Sequence, residues 1–357
     1  MISNFISLLG GSESGRTTLA KSFGKAGQST DITFYNYFKG EERLIIMDPI
    51  KYPESLKPLI NSLQISDTFI LCVSGVKGVD KSFGETVILL EEFFSEEELS
   101  RGIIALTSAD KMYDPLIEEK LMKILSKTKL KNVPIIKTSS EDKQTLKDLR
   151  ESIAIIFEKN KSFVESSDEE EPVQVWIDHA FPVKGVGTVI LGKIMAGTVK
   201  KGTTLTALPS MKSVAVRSIQ ANDIDVPEAP AGTHIGLALR GISADDFSRG
   251  SLLVSPKAKG FEKATELSID VQTNKFCPIL KTNMPIHLSY GLQFIPVRIK
   301  AIDGSENLEL SPCSNAKVTF NVEHGEIARF PKARVILCDL NAKGPRILGK
   351  GKDYLDN

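Results

Sequence analysis

The 357-residue sequence has few cysteines and no excess of charge of either sign. Its four cysteines, Cys72, Cys277, Cys313 and Cys338, lie far apart. That separation fits neither a zinc site nor a dense disulfide framework, so we expect reduced thiols in the core. Lysine plus arginine and aspartate plus glutamate both number 45. Net charge therefore gives no general attraction to nucleic acid, although local basic patches remain open.

The chain also lacks long apolar runs and a basic, cleavable leader. No stretch approaches the roughly 20 apolar residues of a membrane span. The start MISNFISLLGG has neither the basic front nor the cleavage site of a signal peptide. We therefore expect a cytoplasmic protein without a membrane or DNA partner. The length predicts two or three domains at roughly 100–200 residues each.

Three regions of the sequence differ in pattern. Residues 1–160 alternate apolar strands with helical periodicity, which is typical of a parallel sheet covered by helices. Residues 161–172 are polar and acidic, which favours a linker, although such runs also occur in binding tails. Residues 173–256 and 257–357 alternate apolar and polar positions between glycine and proline turns. The predicted fold class is an α/β domain followed by two antiparallel β-barrels.

The first region carries the clearest predicted elements. Apolar residues at helical spacing predict helices over 56–63, 85–99 and 146–157. The runs NFISLLG, RLIIMD, TFILCVS, GIIALTS and VPIIKTS predict five buried strands.

One segment, LLGGSESGRTTLAK, has the spacing of a phosphate-binding loop. Gly10, Gly15 and Thr17 fit the pattern G-x-x-x-x-G-K-[ST], but Arg16 stands at the lysine. A lysine there acts as a compact point charge, whereas arginine brings a broad planar group. Two interpretations remain: a nucleotide site with an altered cation, or a strand–turn–helix connection without a ligand.

The region after residue 173 resembles a known family. The string HAFPVKGVGTVILGKIMAGTVKKGTTL, followed by VRSIQ, APAGTHIGLALRGI and RGSLL, closely resembles the second domain of translational GTPases, above all elongation factor Tu and the selenocysteine-specific elongation factor. The resemblance covers essentially the whole chain and implies a P-loop GTPase-like domain and two barrels. Residues 257–357 resemble the family least. The glycines expected to allow the turns and bends of a small barrel are Gly185, Gly187, Gly192, Gly197 and Gly202.

The resemblance implies a guanine-nucleotide site in the first region. The residues that match its motifs are Gly10, Gly15, Arg16, Thr17, Thr18, Asp48, Thr107, Asp110, Ser139 and Ser140. By the same resemblance, Thr17 and Asp48 would hold Mg²⁺ beside GTP or GDP. Thr33 matches the threonine that closes over the metal. For Ser139 and Ser140 a polar strand end with a helix cap is an equal alternative.

Departures from the family pattern fall on the part of the site that senses and hydrolyses the γ-phosphate. Arg16 replaces the lysine, while Lys51 and Tyr52 replace the glycine and histidine of D-x-x-G-H. Only about fifteen residues separate Thr18 from the next strand, which leaves little of the first switch loop. Ser108 replaces the lysine that packs on the guanine ring. Lys51 could replace the missing phosphate-loop lysine by offering its ammonium group to the phosphates from the side opposite to Arg16.

These departures predict an elongation-factor-like protein with weakened or lost GTP binding and hydrolysis and no catalytic residue. Its barrels would bind tRNA, the ribosome or another protein. The alternative is an active GTP-dependent elongation factor that delivers aminoacyl-tRNA. No segment resembles the extra domain of the selenocysteine factor, so a dedicated selenocysteine role is not expected.

The barrels offer few further candidates for a site. A basic face of the first barrel would combine Lys184, Lys200, Lys201, Lys212, Arg217, Arg240 and Arg249, unless these are scattered solvated charges. The four histidines fit no metal spacing. Trp176 is expected in the barrel core rather than as a platform for a stacked base.

Overall fold

The computed structural model describes residues 4–29, 31–39, 42–108, 114–164, 171–221, 224–303 and 309–354. The chain forms two compact units. We call them the α/β unit, Ser3–Phe163, and the barrel unit, which includes Val164–Asn357. Asp110 and most of the acidic segment lie outside the described residues, so their predicted roles remain predictions.

The α/β unit contains one seven-stranded sheet in the order β2-β3-β4-β1-β5-β6-β7. The strands are β1 (Asn4–Leu9), β2 (Ala26–Ser29), β3 (Thr33–Lys39), β4 (Glu42–Asp48), β5 (Thr68–Ser74), β6 (Ile103–Thr107) and β7 (Ile135–Lys137). Strands β4, β1, β5, β6 and β7 are parallel, and β2 and β3 add an antiparallel edge. All five predicted strands are present. The uninterrupted apolar runs of β1, β4, β5 and β6 fit strands that are covered on both faces, whereas β7 lies at the edge of the sheet and is not fully buried.

Helices pack on this sheet. They are α1 (Arg16–Lys21), α2 (Lys57–Ile65), α3 (Lys81–Phe93), α4 (Glu96–Leu99), α5 (Pro115–Leu125) and α6 (Lys143–Val164), with a 3-10 turn at Lys129–Asn132. The predicted face of α6 is confirmed, because Leu146, Leu149, Ile153 and Phe157 lie in the core with β1 and β4. None of the helices among the described residues is long and apolar enough to cross a membrane.

The helix predicted over 85–99 is wrong in its limits. The structure has two helices there, because two capping residues set the boundaries. Asp80 accepts a hydrogen bond from the Phe83 amide at 2.8 Å and begins α3 four residues earlier than predicted. Ser95 and Glu98 form a reciprocal capping box that begins α4.

The barrel unit contains two closed antiparallel barrels, which confirms the predicted fold class. The strands of the first are β8 (Gln174–Val183), β9 (Gly187–Ala196), β10 (Thr198–Lys200), β11 (Thr204–Leu208), β12 (Lys212–Ala221), β13 (Ile224–Val226), β14 (Glu228–Pro230), β15 (His234–Arg240) and β16 (Leu252–Val254). Six of them close in the order β11-β16-β8-β9-β15-β12, with β12 paired back to β11. A 3-10 turn spans Ala244–Asp246.

The second barrel closes in the order β18-β23-β21-β20-β25-β26. Its strands are β17 (Glu262–Ala264), β18 (Glu266–Thr273), β19 (Leu280–Lys281), β20 (Pro285–Tyr290), β21 (Gln293–Ile302), β22 (Glu309–Leu310), β23 (Asn315–Val322), β24 (Ile327–Arg329), β25 (Arg334–Cys338) and β26 (Ile347–Lys352).

Of two residue-level expectations, one is wrong in part and the other is confirmed. Cys72, Cys277 and Cys338 are buried free thiols, but Cys313 is exposed, because it lies on the turn before β23 with a φ of 54°. Trp176 is buried as expected, at 7% exposure. Its ring packs against Phe330 of the second barrel, with 5.4 Å between the ring centroids. Trp176 therefore joins the two barrels.

Candidate nucleotide site

The phosphate-loop segment connects β1 to α1 and depends on two glycines. Gly10 and Gly15 have φ values of 129° and 78°, which side chains rarely adopt. A Cβ atom at Gly10 would lie 2.6 Å from the Cys72 carbonyl oxygen, and one at Gly15 would lie 2.5 Å from Thr107 Oγ1. The loop therefore has a shape that only glycine permits at these two places.

The Arg16 side chain is turned into the protein. It is 5% exposed, and Nε donates to Asp48 Oδ1 at 2.6 Å. Nη1 donates to the Gly10 carbonyl at 2.6 Å. Nη2 donates to the carbonyls of Pro49 at 3.0 Å and Tyr52 at 3.4 Å. Four of the five guanidinium donors thus have protein acceptors.

The predicted magnesium ligands Thr17 and Asp48 come together, but Asp48 is also bound by the Arg16 guanidinium. Asp48 is fully buried, and its Oδ2 accepts a hydrogen bond from Thr17 Oγ1 at 2.6 Å. Its Oδ1 is occupied by Arg16. Because both carboxylate oxygens have partners and the charge is already neutralised, the residues as arranged do not fit a bound Mg²⁺. Among the described residues, no cluster of three or more His, Cys, Asp or Glu side chains is placed to hold a metal.

Lys51 and Tyr52, at the glycine and histidine positions of D-x-x-G-H, also differ from the residues of a hydrolytic site. Tyr52 is 1% exposed, and its hydroxyl lies 2.8 Å from the Ser82 carbonyl and 3.1 Å from Thr86 Oγ1, both on α3. The phenol therefore binds α3. Lys51 is exposed, and the contact of its ammonium group with the phosphates stays a prediction.

The base-binding motifs have structural roles in this arrangement. Thr107 is 5% exposed, and its hydroxyl donates to the Ser14 carbonyl at 2.7 Å, which fastens the phosphate loop to β6. Ser139 is buried, and its hydroxyl accepts from the Glu141 amide at 3.1 Å. Ser140 and Thr18 are exposed. The nucleotide contacts predicted for these residues stay predictions.

The region of the first switch is a pair of strands. Thr33 is 4% exposed and begins β3, where it pairs with Asp48 across the ladder. Strand β2 pairs in turn with β3 and leaves few residues between them. The threonine predicted to close over the metal is therefore held in a sheet.

The motif search missed one carboxylate beside the loop. A Cβ atom at Gly11 would lie 2.7 Å from Asp80 Oδ2, so this carboxylate packs directly on the loop. A negative charge there would repel phosphates. Asp80 follows a glycine-containing turn and begins α3, which is the only sequence signal that points to it. The sequence also gave no sign that Arg16 pairs with Asp48, although Asp48 matches the aspartate of D-x-x-G-H.

Comparison with known proteins decides the family. Residues 187–254 match the family model of elongation factor Tu domain 2. An uncharacterised protein of Methanocaldococcus jannaschii is 31% identical over 335 residues, which are 94% of this chain and 95% of that protein. The chain belongs to the translational GTPase family. The selenocysteine-specific elongation factor of the same organism is 30% identical over 285 residues, and the match spans 77% of this chain but 58% of that factor.

Solved structures of translational GTPases share the fold. The elongation factor SelB from Methanococcus maripaludis, in complex with the GTP analogue GppNHp, matches with a TM-score of 0.79 and 25% identity. The match covers 99% of this chain and 80% of SelB. This member of the family therefore shares its fold with four fifths of SelB. Its phosphate loop contains an arginine that is bound internally.

The predicted basic face of the first barrel is smaller than expected. Three of the seven cations are paired: Lys200 with Glu228, Lys212 with Asp246 and Arg249 with Asp178. Lys184, Arg217 and Arg240 instead line one cleft of about 780 Å³ at the end of the first barrel. Among the described residues, no acidic side chain lines this cleft, and we call the site of these three cations the basic cleft.

A second polar cluster in the first barrel surrounds Asp178. Its carboxylate is 9% exposed and accepts from Arg249 Nε at 2.7 Å, and it lies 2.8 Å from His179 Nδ1. Burial opposes the charge on Asp178, but His179 and Arg249 together lower its pKa. Burial lowers the pKa of nearby His234 to about 4, so this imidazole is neutral at pH 7.

Proposed function

We propose that this protein is an elongation-factor-like component of the translation machinery whose GTP cycle is weakened or lost, and that its barrels bind tRNA, the ribosome or another protein. The observation that carries the proposal is the buried ion pair of Arg16 and Asp48. On this proposal GTP or GDP with Mg²⁺ binds weakly or not at all. A cytoplasmic location and domain limits at residues 160, 172 and 256 belong to the same proposal.

The energetic argument concerns what a nucleotide would have to displace. A triphosphate with Mg²⁺ needs the Asp48 carboxylate and the space beside Gly10, and Arg16 is bound to both. Breaking a buried pair by removing one partner costs about 3–5 kcal/mol. That cost corresponds to a loss of roughly 10²- to 10⁴-fold in affinity. The Asp80 carboxylate beside Gly11 adds to it.

We expect calorimetry with GDP and GTP in the presence of Mg²⁺ to give little or no saturable heat for the unmodified protein. The Arg16→Lys variant should gain affinity by roughly 10-fold or more, because a lysine releases the carbonyl of Pro49 and frees part of the Asp48 carboxylate. Arg101→Lys is the matched control, since Arg101 is a surface arginine of the same unit that pairs with Glu97.

Tight GTP binding by the unmodified protein would contradict the proposal. Ribosome-stimulated turnover in the same sample would establish the alternative, an active elongation factor that delivers aminoacyl-tRNA. The retained approach of Thr17 Oγ1 to Asp48, at 2.6 Å, is the feature that favours this alternative.

The basic cleft supports the RNA partner. Its cations, Lys184, Arg217 and Arg240, converge on one opening without a carboxylate, and phosphate contacts by such groups supply most salt-dependent affinity for RNA. The variant with all three replaced by alanine should bind tRNA or ribosomal subunits more weakly. The slope of log K against log salt should fall by about 2–3. Fluorescence polarisation over a salt series measures both quantities.

The matched control for the basic cleft is Lys200→Ala with Lys212→Ala, because these ammonium groups already pair with Glu228 and Asp246. Their removal should leave the salt slope nearly unchanged. Equal losses in both variants would reject the cleft as the RNA contact. Absence of RNA and ribosome binding by the unmodified protein would favour a protein partner.

A further inference from the structure

The Arg16 guanidinium joins separate segments of the α/β unit. It bonds Gly10 at the start of the phosphate loop, Asp48 at the end of β4, and the carbonyls of Pro49 and Tyr52 in the following turn. In a nucleotide-driven switch, phosphate and metal hold such segments together, and their departure releases them. Here a side chain of the protein itself makes the connection.

The connection continues from Tyr52 into α3. The Tyr52 hydroxyl contacts the Ser82 carbonyl and Thr86 Oγ1, and it lies 3.3 Å from Glu85 Oε2. Glu85 is 8% exposed, so this contact is also buried. The residue at the place of the hydrolytic histidine therefore links the turn after β4 to the next helix.

We propose that Arg16 is a built-in cation that locks residues 48–52 against the phosphate loop, so that the α/β unit has one conformation that needs neither nucleotide nor metal. This inference goes beyond the proposed function. A site that had merely lost affinity for GTP would leave the segments of the switch loose, whereas this lock keeps them fixed. The lock predicts a translational GTPase fold held permanently in one state.

Burial and backbone pairing support the lock. The side chains of Arg16, Asp48 and Tyr52 are 5%, 0% and 1% exposed. A buried and hydrogen-bonded charge is costly to move, because its release leaves an unpaired partner in a region of low dielectric constant. The backbone of Asp48 is also held in the ladder opposite Thr33. The Asp48 end of the ion pair is thus also fixed through its backbone.

The test uses the Arg16→Met variant of the full chain, which keeps a side-chain stem and removes every donor. We expect its melting temperature to fall by about 5–10 °C. Hydrogen exchange of the amides of residues 50–52 and 54–56 should accelerate by about 10-fold or more, because the turn after β4 opens locally. Neither EDTA nor GDP with Mg²⁺ should change the melting temperature or the exchange of the unmodified protein.

Two further variants make the test specific. Arg101→Met is the control, because it removes a partly exposed arginine of the same unit and should leave the exchange of amides 50–52 and 54–56 unchanged. Arg16→Met combined with Asp48→Asn removes both charges and should recover much of the lost stability. If Arg16→Met alone does not fold, recovery of a folded double variant supports the lock, and its failure to fold overturns it.

The outcomes separate the lock from the proposed function. Unchanged melting and exchange in Arg16→Met would overturn the lock and leave the loss of the GTP cycle standing. A rise of several degrees in the melting temperature of the unmodified protein with GTP and Mg²⁺ would overturn the proposed function. Faster exchange of amides 50–52 and 54–56 in the unmodified protein after addition of EDTA would overturn the lock, because that result makes a metal part of it.

Discussion

The Gly192→Ala substitution is expected to lower the free energy of unfolding of the barrel unit by about 3 kcal/mol or more. A Cβ atom at this position in β9 would lie 2.2 Å from the Trp176 carbonyl oxygen and 3.1 Å from the Trp176 carbonyl carbon. Both atoms belong to the backbone of β8, so no side chain can rotate to make room. The two strands would have to separate at the point where they pair.

The matched control is Gly236→Ala in the neighbouring strand β15. A Cβ atom there would lie 3.6 Å from Leu191 Cδ2, an ordinary contact, and the position pairs with Leu191 in the same barrel. Denaturant unfolding followed by tryptophan fluorescence measures both variants, because the single tryptophan lies in this barrel. Equal and small effects of the two substitutions would show that the close approach of β8 and β9 does not constrain position 192.

This pair of glycines illustrates what the sequence predicts about the barrels. The alternation of apolar and polar residues and the regular turns were enough to predict two antiparallel barrels, and both barrels are closed in the structure. The pattern also predicted that glycines would permit turns and bends. It did not distinguish Gly185, a turn residue with φ of 79° and open space beside it, from Gly192, which lies under the backbone of β8. That distinction depends on the register of two strands and on a bulge between Ile177 and His179.

The nucleotide site was predictable in its backbone and not in its side chains. Motif spacing placed Gly10, Gly15 and Asp48 at one edge of a parallel sheet, because these positions depend on local turns and on the strand pattern. The direction of the Arg16 side chain depends on carbonyls 33 and 36 residues away, at Pro49 and Tyr52. No local propensity encodes such pairings, so the sequence suggested a contact with phosphate where the structure has an internal ion pair.

A single state of the α/β unit would change how the barrels bind and release a partner. A GTP cycle lets an elongation factor bind and release its partner in alternate states, and the energy for the change comes from the differential affinity of the nucleotide for those states. If the α/β unit has a single state, the affinity of the barrels for RNA or protein is constant. Occupancy is then set by the concentrations of the partner and of its competitors, without control by nucleotide.

The Trp176→Ala substitution is expected to cost about 3–5 kcal/mol and to separate the unfolding of the two barrels. The indole ring is 7% exposed and packs on Phe330, which is 1% exposed and stacks edge-on against Tyr290 at 5.1 Å. Calorimetry should therefore change from one transition of the barrel unit to two.

The Trp176→Phe variant should lose much less stability, because the indole N–H has no acceptor among the described residues and only ring area is lost. Phe181→Ala on the same strand is the control, since that ring is 39% exposed and should contribute less than about 1 kcal/mol. A single transition in Trp176→Ala, at the temperature of the unmodified protein, would mean that contacts other than this ring join the barrels.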